Sequence, residues 1–307
     1  MNEQERVQLS RYAIAAGLAG NAVLTLLKGS VGVLTGSTAI IADAFHSASD
    51  VLSTLVAMGG VKLAHQPPDK HHHYGHAKAE PIAAKILALI LIFTAAGIGW
   101  KAIQVAQSGN IVVPGTVAIY AVILSIVIKE GMYHYTVRIG RKIKSSVIVA
   151  DAWHHRSDAF SSIAALIGVL GANFGYPILD PLAGIIVAIM ILRMGINVYW
   201  SAIKELMDPA PKPEVIEQIS EIVKNTEGVR SVEEIKARYN GPYIYVDLKI
   251  CVHPQVTVEK GHAIAAAAKY NILEKDSTVK DVLIHVNPCF YSELSGECDC
   301  KRKKQEK

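Results

Sequence analysis

Six windows of this chain, 12–34, 38–63, 81–107, 114–138, 146–172 and 178–203, are long and apolar enough to cross a bilayer, which takes about 20 mostly apolar residues in a helix. No other feature constrains the fold as tightly. Inside hydrocarbon a backbone must satisfy its own hydrogen bonds, so each such window is expected to be a helix. Turn signals separate them: Thr35-Gly36-Ser37, Gln66-Pro67-Pro68-Asp69, Gly109-Asn110, Gly140 and Gly175-Tyr176-Pro177. The windows are rich in Gly, Ala and Ser, which lets membrane helices pack closely. The expected fold class is a membrane α-helical bundle with six transmembrane helices, set in a lipid bilayer.

The composition changes after residue 207. More than half of the charged side chains fall in the last third, although such residues make up only 19% of the chain. A soluble two-domain protein would not divide this way, and intrinsic disorder is excluded by an apolar content of 51%. Past Met207-Asp208-Pro209-Ala210-Pro211, periodicity predicts a helix over 212–224 and a strand over 230–237. A half-buried strand over 243–250, a helix over 257–274 and a strand over 279–286 follow. The αββαβ order indicates a small α+β, ferredoxin-like domain. The expected division is a transmembrane domain over 1–208, a soluble domain over 209–292 and a disordered tail over 293–307.

Loop charges give the orientation. Arg6 and Arg11, then Lys62, Lys70 and Lys78, then Arg138, Arg141, Lys142 and Lys144 all fall on one side. The loops 35–37, 108–113 and 173–177 carry no Lys or Arg. Basic loops stay inside, so both termini and the soluble domain are expected to be cytoplasmic and the location the cell membrane. The opening Met1-Asn2-Glu3-Gln4 leads to no apolar core with a cleavage site, so no signal peptide is expected. Cys251, Cys289, Cys298 and Cys300 are too few for a disulfide framework and fit a reducing compartment. The net charge of +4 comes with no basic patch, and no nucleic-acid partner is expected.

The chemistry sits in a repeat. Ala42-Asp43-Ala44-Phe45-His46-Ser47-Ala48-Ser49-Asp50 recurs 108 residues later as Ala150-Asp151-Ala152-Trp153-His154-His155-Arg156-Ser157-Asp158, with six of nine positions identical. In each copy His and Asp stand four apart, on one face of a helix. Two such helices facing each other would assemble His46, Asp50, His154 and Asp158 as four N/O ligands, a tetrahedral set for zinc or a neighbouring divalent metal. Ionisable residues inside apolar spans are costly and mark function, whereas a local His–Asp hydrogen bond would not need to recur. Asp43 and Asp151 precede the pairs and are expected at a water-filled mouth or as helix caps. Residues 69–76, Asp-Lys-His-His-His-Tyr-Gly-His, form a second cluster able to hold metal in a loop. Cys298-Asp299-Cys300 reads as part of the tail. There is no His-Glu-x-x-His and no Gly-rich phosphate loop, so neither a zinc protease nor ATP drive is supported and no enzyme is expected.

From about residue 10 to Cys289 the sequence resembles the cation diffusion facilitator family of metal/proton antiporters. The resemblance is carried by the six spans, both His-x-x-x-Asp pairs, the stretch Tyr74-Gly75-His76-x-Lys78-x-Glu80 and the ending Ile284-His285-Val286-Asn287-Pro288. It implies a homodimer with a metallochaperone-like cytoplasmic domain and transport through His46, Asp50, His154 and Asp158. It further implies a loop site of Asp69, His72 and His76, and a Lys78–Asp208 charge pair that locks the dimer. For the cytoplasmic metal site, His262 and His285 match family ligands and Glu233 stands where some members have His. Lys249 replaces a usual ligand His, and Asn287 stands where an Asp can occur. A protonated lysine has no lone pair to offer, which argues against a full two-metal site there.

The expected function is proton-coupled efflux of a divalent transition metal from the cytoplasm. Zinc comes first, with manganese, iron, cobalt and cadmium open. A membrane metal sensor without transport is the alternative. A haem electron carrier using His46 and His154 is a third reading, opposed by the carboxylate one turn from each histidine.

Overall fold

The computed structural model describes residues 3–64, 66–109, 111–142, 145–241 and 243–289. Asn110, Lys144 and the tail 293–307 with Cys298 and Cys300 lie outside the described residues. The chain forms two compact units, one reaching Leu63 and resuming over Pro81–Ala202, the other made of Ala64–Glu80 and the chain from Ile203 onward.

In the first unit each expected window is a helix: α1 (Glu3–Thr35), α2 (Thr38–Ala64), α3 (Ala79–Ser108), α4 (Thr116–Lys142), α5 (Ser146–Asn173) and α6 (Leu179–Leu206). The helices overrun the apolar windows by a few residues because the turns that project past the hydrocarbon keep their own hydrogen bonds. Among the described residues, five of the six contain a stretch long and apolar enough to span a membrane by length and composition. The sixth, α5, falls short because Asp151, Arg156 and Asp158 crowd its first half. Its polarity is the site's polarity. Leu26, Val33, Phe93, Tyr120 and Phe160 point outward and are mostly exposed, giving the apolar exterior that lipid covers. Inward positions are small: Ala39, Ala42, Ala118, Ala165 and Ala183 are buried. A β-carbon added at Gly168 would fall 2.4 Å from that of Ala183, so α5 and α6 approach as closely as glycine allows.

Two helix starts are fixed by side chains. The carboxylate of Asp180, buried in the first turn of α6, accepts from Thr38 N and Thr38 Oγ1, both at 2.8 Å, and from the Ser37 hydroxyl. An anion at the first turn of α2 satisfies orphan N–H groups and suits the helix dipole. Ser145 caps α5 by accepting from Ile148 N.

The second unit contains α7 (Pro213–Lys224), β1 (Ser231–Asn240), β2 (Tyr243–Val252), α8 (Val258–Lys275) and β3 (Val279–Pro288). Pro213 opens α7, where its missing N–H costs nothing, and Thr257 caps α8. The sheet order is β1-β2-β3, with β1 antiparallel and β3 parallel to β2. This is the expected αββαβ arrangement, a ferredoxin-like βαββαβ unit without its first strand. Strand β2 alternates: Ile244, Val246, Leu248 and Ile250 enter a core with Ile219, Val223, Ile264, Ala268 and Ile272. Each buried Ile, Leu or Val contributes about 1.5–3 kcal/mol relative to exposure. Lys249, out of phase with them, lies on the other face.

Candidate metal centre

The repeat does what its spacing predicts. Helix α2 carries His46 and Asp50, α5 carries His154 and Asp158, and the two pairs meet in the first unit. The contacts cross between copies. His46 Nε2 stands 3.6 Å from Asp158 Oδ1, and His154 Nε2 stands 4.0 Å from Asp50 Oδ1. His154 Nδ1 is also 3.7 Å from Asp158 Oδ1. Ligand atoms about 2.1 Å from a tetrahedral zinc are separated by about 3.4 Å, so His46, Asp50 and Asp158 stand near ligand spacing, whereas His154 must turn inward to join them with a single nitrogen. Ligand atoms of His46, Asp50 and Asp158 already lie within 4.8 Å of one another. His154 is the outer member, with its side chain 52% exposed. Both ring nitrogens of His46 are buried without a hydrogen-bond partner. An imidazole left so in a dry interior is expensive unless a ligand comes to it.

Two lysines complete the electrostatics, and the repeat does not reveal them. Lys129, from α4 and fully buried, donates to Asp50 Oδ2 at 3.1 Å and to Asp158 Oδ2 at 3.0 Å. Each carboxylate therefore turns one oxygen to the histidines and the other to the ammonium. Lys28, from α1 and also fully buried, pairs with Asp43 Oδ2 at 2.8 Å and donates to Ser47 and Ser162. Ser161 and Ser162 donate to the two oxygens of Asp43 at 2.7 and 2.8 Å. Asp43 is thus neither at a mouth nor a helix cap. It is half of a sealed ion pair tying α1, α2 and α5 together, because a carboxylate inside the bundle is retained only with full compensation. Asp151 is no cap either: it is partly exposed and faces His155 Nε2 at 3.6 Å. The rule that flags ionisable groups in apolar windows flags Lys28 and Lys129 too. At the repeat's offset their counterparts are Thr136 and Asn21, so a search for repetition passes over them.

The loop cluster is assembled around one acid. Asp69 Oδ1 accepts from His71 N at 2.8 Å and His72 N at 2.7 Å, with His72 Nδ1 at 3.2 Å. Its Oδ2 faces His76 Nε2 at 3.4 Å. The bend that returns His76 to Asp69 passes through Gly75 at φ 80°, a conformation glycine adopts without cost. The backbone N–H groups of His71 and then His72 hold the Asp69 carboxyl below its ordinary range. Asp69, His72 and His76 are the second set whose ligand atoms lie within 4.8 Å, and no third set occurs among the described residues.

Comparison with known proteins follows this geometry. Residues 14–207 match the cation efflux transmembrane domain, and residues 211–289 match the cation efflux protein cytoplasmic domain. The chain belongs to the cation diffusion facilitator family. Metal tolerance protein 2 of Oryza sativa is 37% identical over 91% of this facilitator, which spans 78% of that relative's length. Metal tolerance protein C1 of Arabidopsis thaliana is 37% identical over 93%, with 63% of its own length spanned. The manganese efflux system protein MneP of Bacillus subtilis is 34% identical over 93% of this chain and 98% of its own. Members of this family are transporters, and divalent metal efflux across a membrane is what the family does.

The facilitator's other implied residues are placed as follows. Lys78 Nζ and Asp208 Oδ1 form an ion pair at 2.5 Å within one chain, and Lys78 also donates to Leu206 O. Asp208 sits at φ 53°, at the end of α6. Glu233, His262 and His285 are not drawn into one cluster. His285 pairs in register with Lys249 on β2, on the sheet face away from the core. His262 is exposed on α8, whose Ile264, Ala268 and Ile272 pack on the core face, so the sheet stands between them. Glu233 sits at a bulge of β1 and accepts from Asn287 Nδ2 at 2.7 Å and from Cys251 Sγ at 3.1 Å. Lys249 Nζ lies 2.7 Å from Glu234 Oε2. Lys249, at the position where the resemblance implied a histidine, already has a carboxylate partner.

Proposed function

We propose that this facilitator exports a divalent transition metal, zinc foremost, from the cytoplasm in exchange for protons. It would act as a homodimer in the cell membrane with both termini cytoplasmic. The single observation behind this reading is the crossed four-ligand cage of His46, Asp50, His154 and Asp158, buried on one side and open at His154. Two imidazoles and two carboxylates without a thiolate suit a borderline divalent ion. Manganese is a second reading, favoured by the Bacillus relative whose name states that metal.

The exchange follows from ligand chemistry. Imidazole accepts either a proton or a metal on its free nitrogen, with an ordinary pKa of about 6.5. Facing the cytoplasm, neutral histidines and ionised carboxylates receive the ion. Facing outside, protons reaching His46 and His154 remove two lone pairs and expel it. Asp69, His72 and His76 would hold a second ion in the loop and capture metal before transport. Lys78 and Asp208 would secure the dimer at the membrane surface. The test is a proteoliposome flux panel over zinc, manganese, iron, cobalt and cadmium, with and without an imposed pH gradient. Metal accumulation that collapses with the gradient supports antiport; binding without flux would leave a membrane metal sensor.

A further inference from the structure

We infer that Lys129 is a positioning residue that sets the transport site's affinity: its ammonium spans the two ligand carboxylates and weakens metal binding enough to permit release. The inference rests on the transport reading above.

A site with two ionised carboxylates, two neutral imidazoles and little water would hold a divalent ion strongly, because opposite charges attract far more in a low dielectric than in water. Tight binding helps capture and opposes turnover. Lys129 changes that balance. It is fully buried and reaches Asp50 and Asp158 at 3.1 and 3.0 Å. Among the described residues it has no other acceptor. It approaches from α4, a helix that supplies none of the four ligands. It takes the Oδ2 edge of each carboxylate and leaves the Oδ1 edges to His46 and His154. An ion can thus enter on the histidine side while the ammonium stays, and it meets a site of formal charge −1 instead of −2. The ammonium also holds α2 and α5 together at the ligands when no ion is bound, as outer groups commonly orient metal ligands. Lys28 provides the contrast. Its partner Asp43 is saturated by two serine hydroxyls and faces no histidine, which is the pattern of a structural pair.

The experiment is initial-rate zinc and manganese flux in proteoliposomes for the native chain and for Lys129→Met, each first shown to be monodisperse. The variant should lower the KM for metal by about tenfold or more, as loss of a nearby like charge from a dry site implies, and should lower the maximal rate with it. Equilibrium metal binding in detergent should tighten in parallel. A purely structural role for Lys129 predicts a lower rate with KM unchanged or raised, and that result would overturn the inference. Lys129→Gln, uncharged but able to donate a hydrogen bond, is to be compared in the same assay; failure of both variants to fold would also overturn it, by assigning the lysine to folding. If the native chain carries no metal at all, the transport reading falls first. If the native chain transports and the variant's KM does not drop, only the role of Lys129 falls.

Discussion

Two lysines of this protein face pairs of acidic residues in opposite surroundings, and their difference shows how solvent assigns a role. Lys129 lies in the bundle with no exposed surface, against Asp50 and Asp158. Lys249 lies on the open face of the sheet, half-exposed, bonded to Glu234 with Glu233 close by. In water such a pair contributes little, because both partners are nearly as well solvated apart. In the bundle the alternative to pairing is an uncompensated charge, whose cost is several kcal/mol. One lysine therefore conditions everything its carboxylates can do. The other holds a surface pair that water could replace.

The largest effect that tests this contrast is at Asp158. Asp158→Ala removes a ligand and half of the carboxylate charge, and zinc flux in proteoliposomes should fall to background while size-exclusion behaviour is unchanged. Asp50→Ala should match it, because Asp50 supplies the other carboxylate of the same set. Substantial flux in either folded variant would show that the cage is not the path.

Next comes the sealed pair. Asp43→Ala leaves Lys28 buried without its counter-ion, held only by the Ser47 and Ser162 hydroxyls, a change expected to cost ~3–5 kcal/mol, seen as a sharp drop in the melting temperature of the detergent-solubilised protein. A melting temperature equal to the native one would mean that water reaches Lys28 and that the bundle is wetter than described.

Much of the molecule could be read from its residues alone. All six helices of the first unit and all five elements of the second were visible because hydrophobic period and turn residues act locally. The meeting of the two His-x-x-x-Asp pairs was visible because the motif is written twice. Lys28, Lys129, Ser161, Ser162 and Asp180 were not singled out. Each occurs once, and its meaning depends on which helix faces which, a property no window of sequence contains. For Glu233, His262 and His285 the difficulty is opposite: each residue fits a pattern, yet alternation along β3 puts His285 on one face while α8 holds His262 on the other.

A smaller effect concerns the exposed loop. The carboxyl of Asp69 is lowered by two backbone N–H groups, so its contribution to loop order is complete above the ordinary aspartate value of 3.8 and is lost only as pH falls through the lowered one. Mild acidification should accordingly leave the Asp69 carboxylate ionised. Asp69→Asn should weaken zinc binding at this loop several-fold at neutral pH, checked by calorimetry on the full chain with Asp158→Ala as background. Unchanged zinc binding in the variant would remove Asp69 from the loop site.

The smallest effect is on the sheet. Glu234 raises the Lys249 ammonium above its ordinary value, so their attraction persists through neutral pH and is lost only at strongly alkaline pH. Lys249→Met should leave the melting temperature of the soluble domain nearly unmoved. Lys249→His should add metal affinity beside His285, measurable as an increment in bound zinc per chain. No increment would mean that the separation of His262 from His285, and not the lysine, keeps this face empty.

The grip of Asp180 on Thr38 has a mechanical consequence. Helix α2 is fastened where it begins, by a carboxylate that would be stranded in a dry interior if it let go. The ligands His46 and Asp50 sit two to three turns along from that fastening. A helix held this way resists sliding along its axis more than tilting about its first turn, and α6, which carries Asp180, shares that anchor.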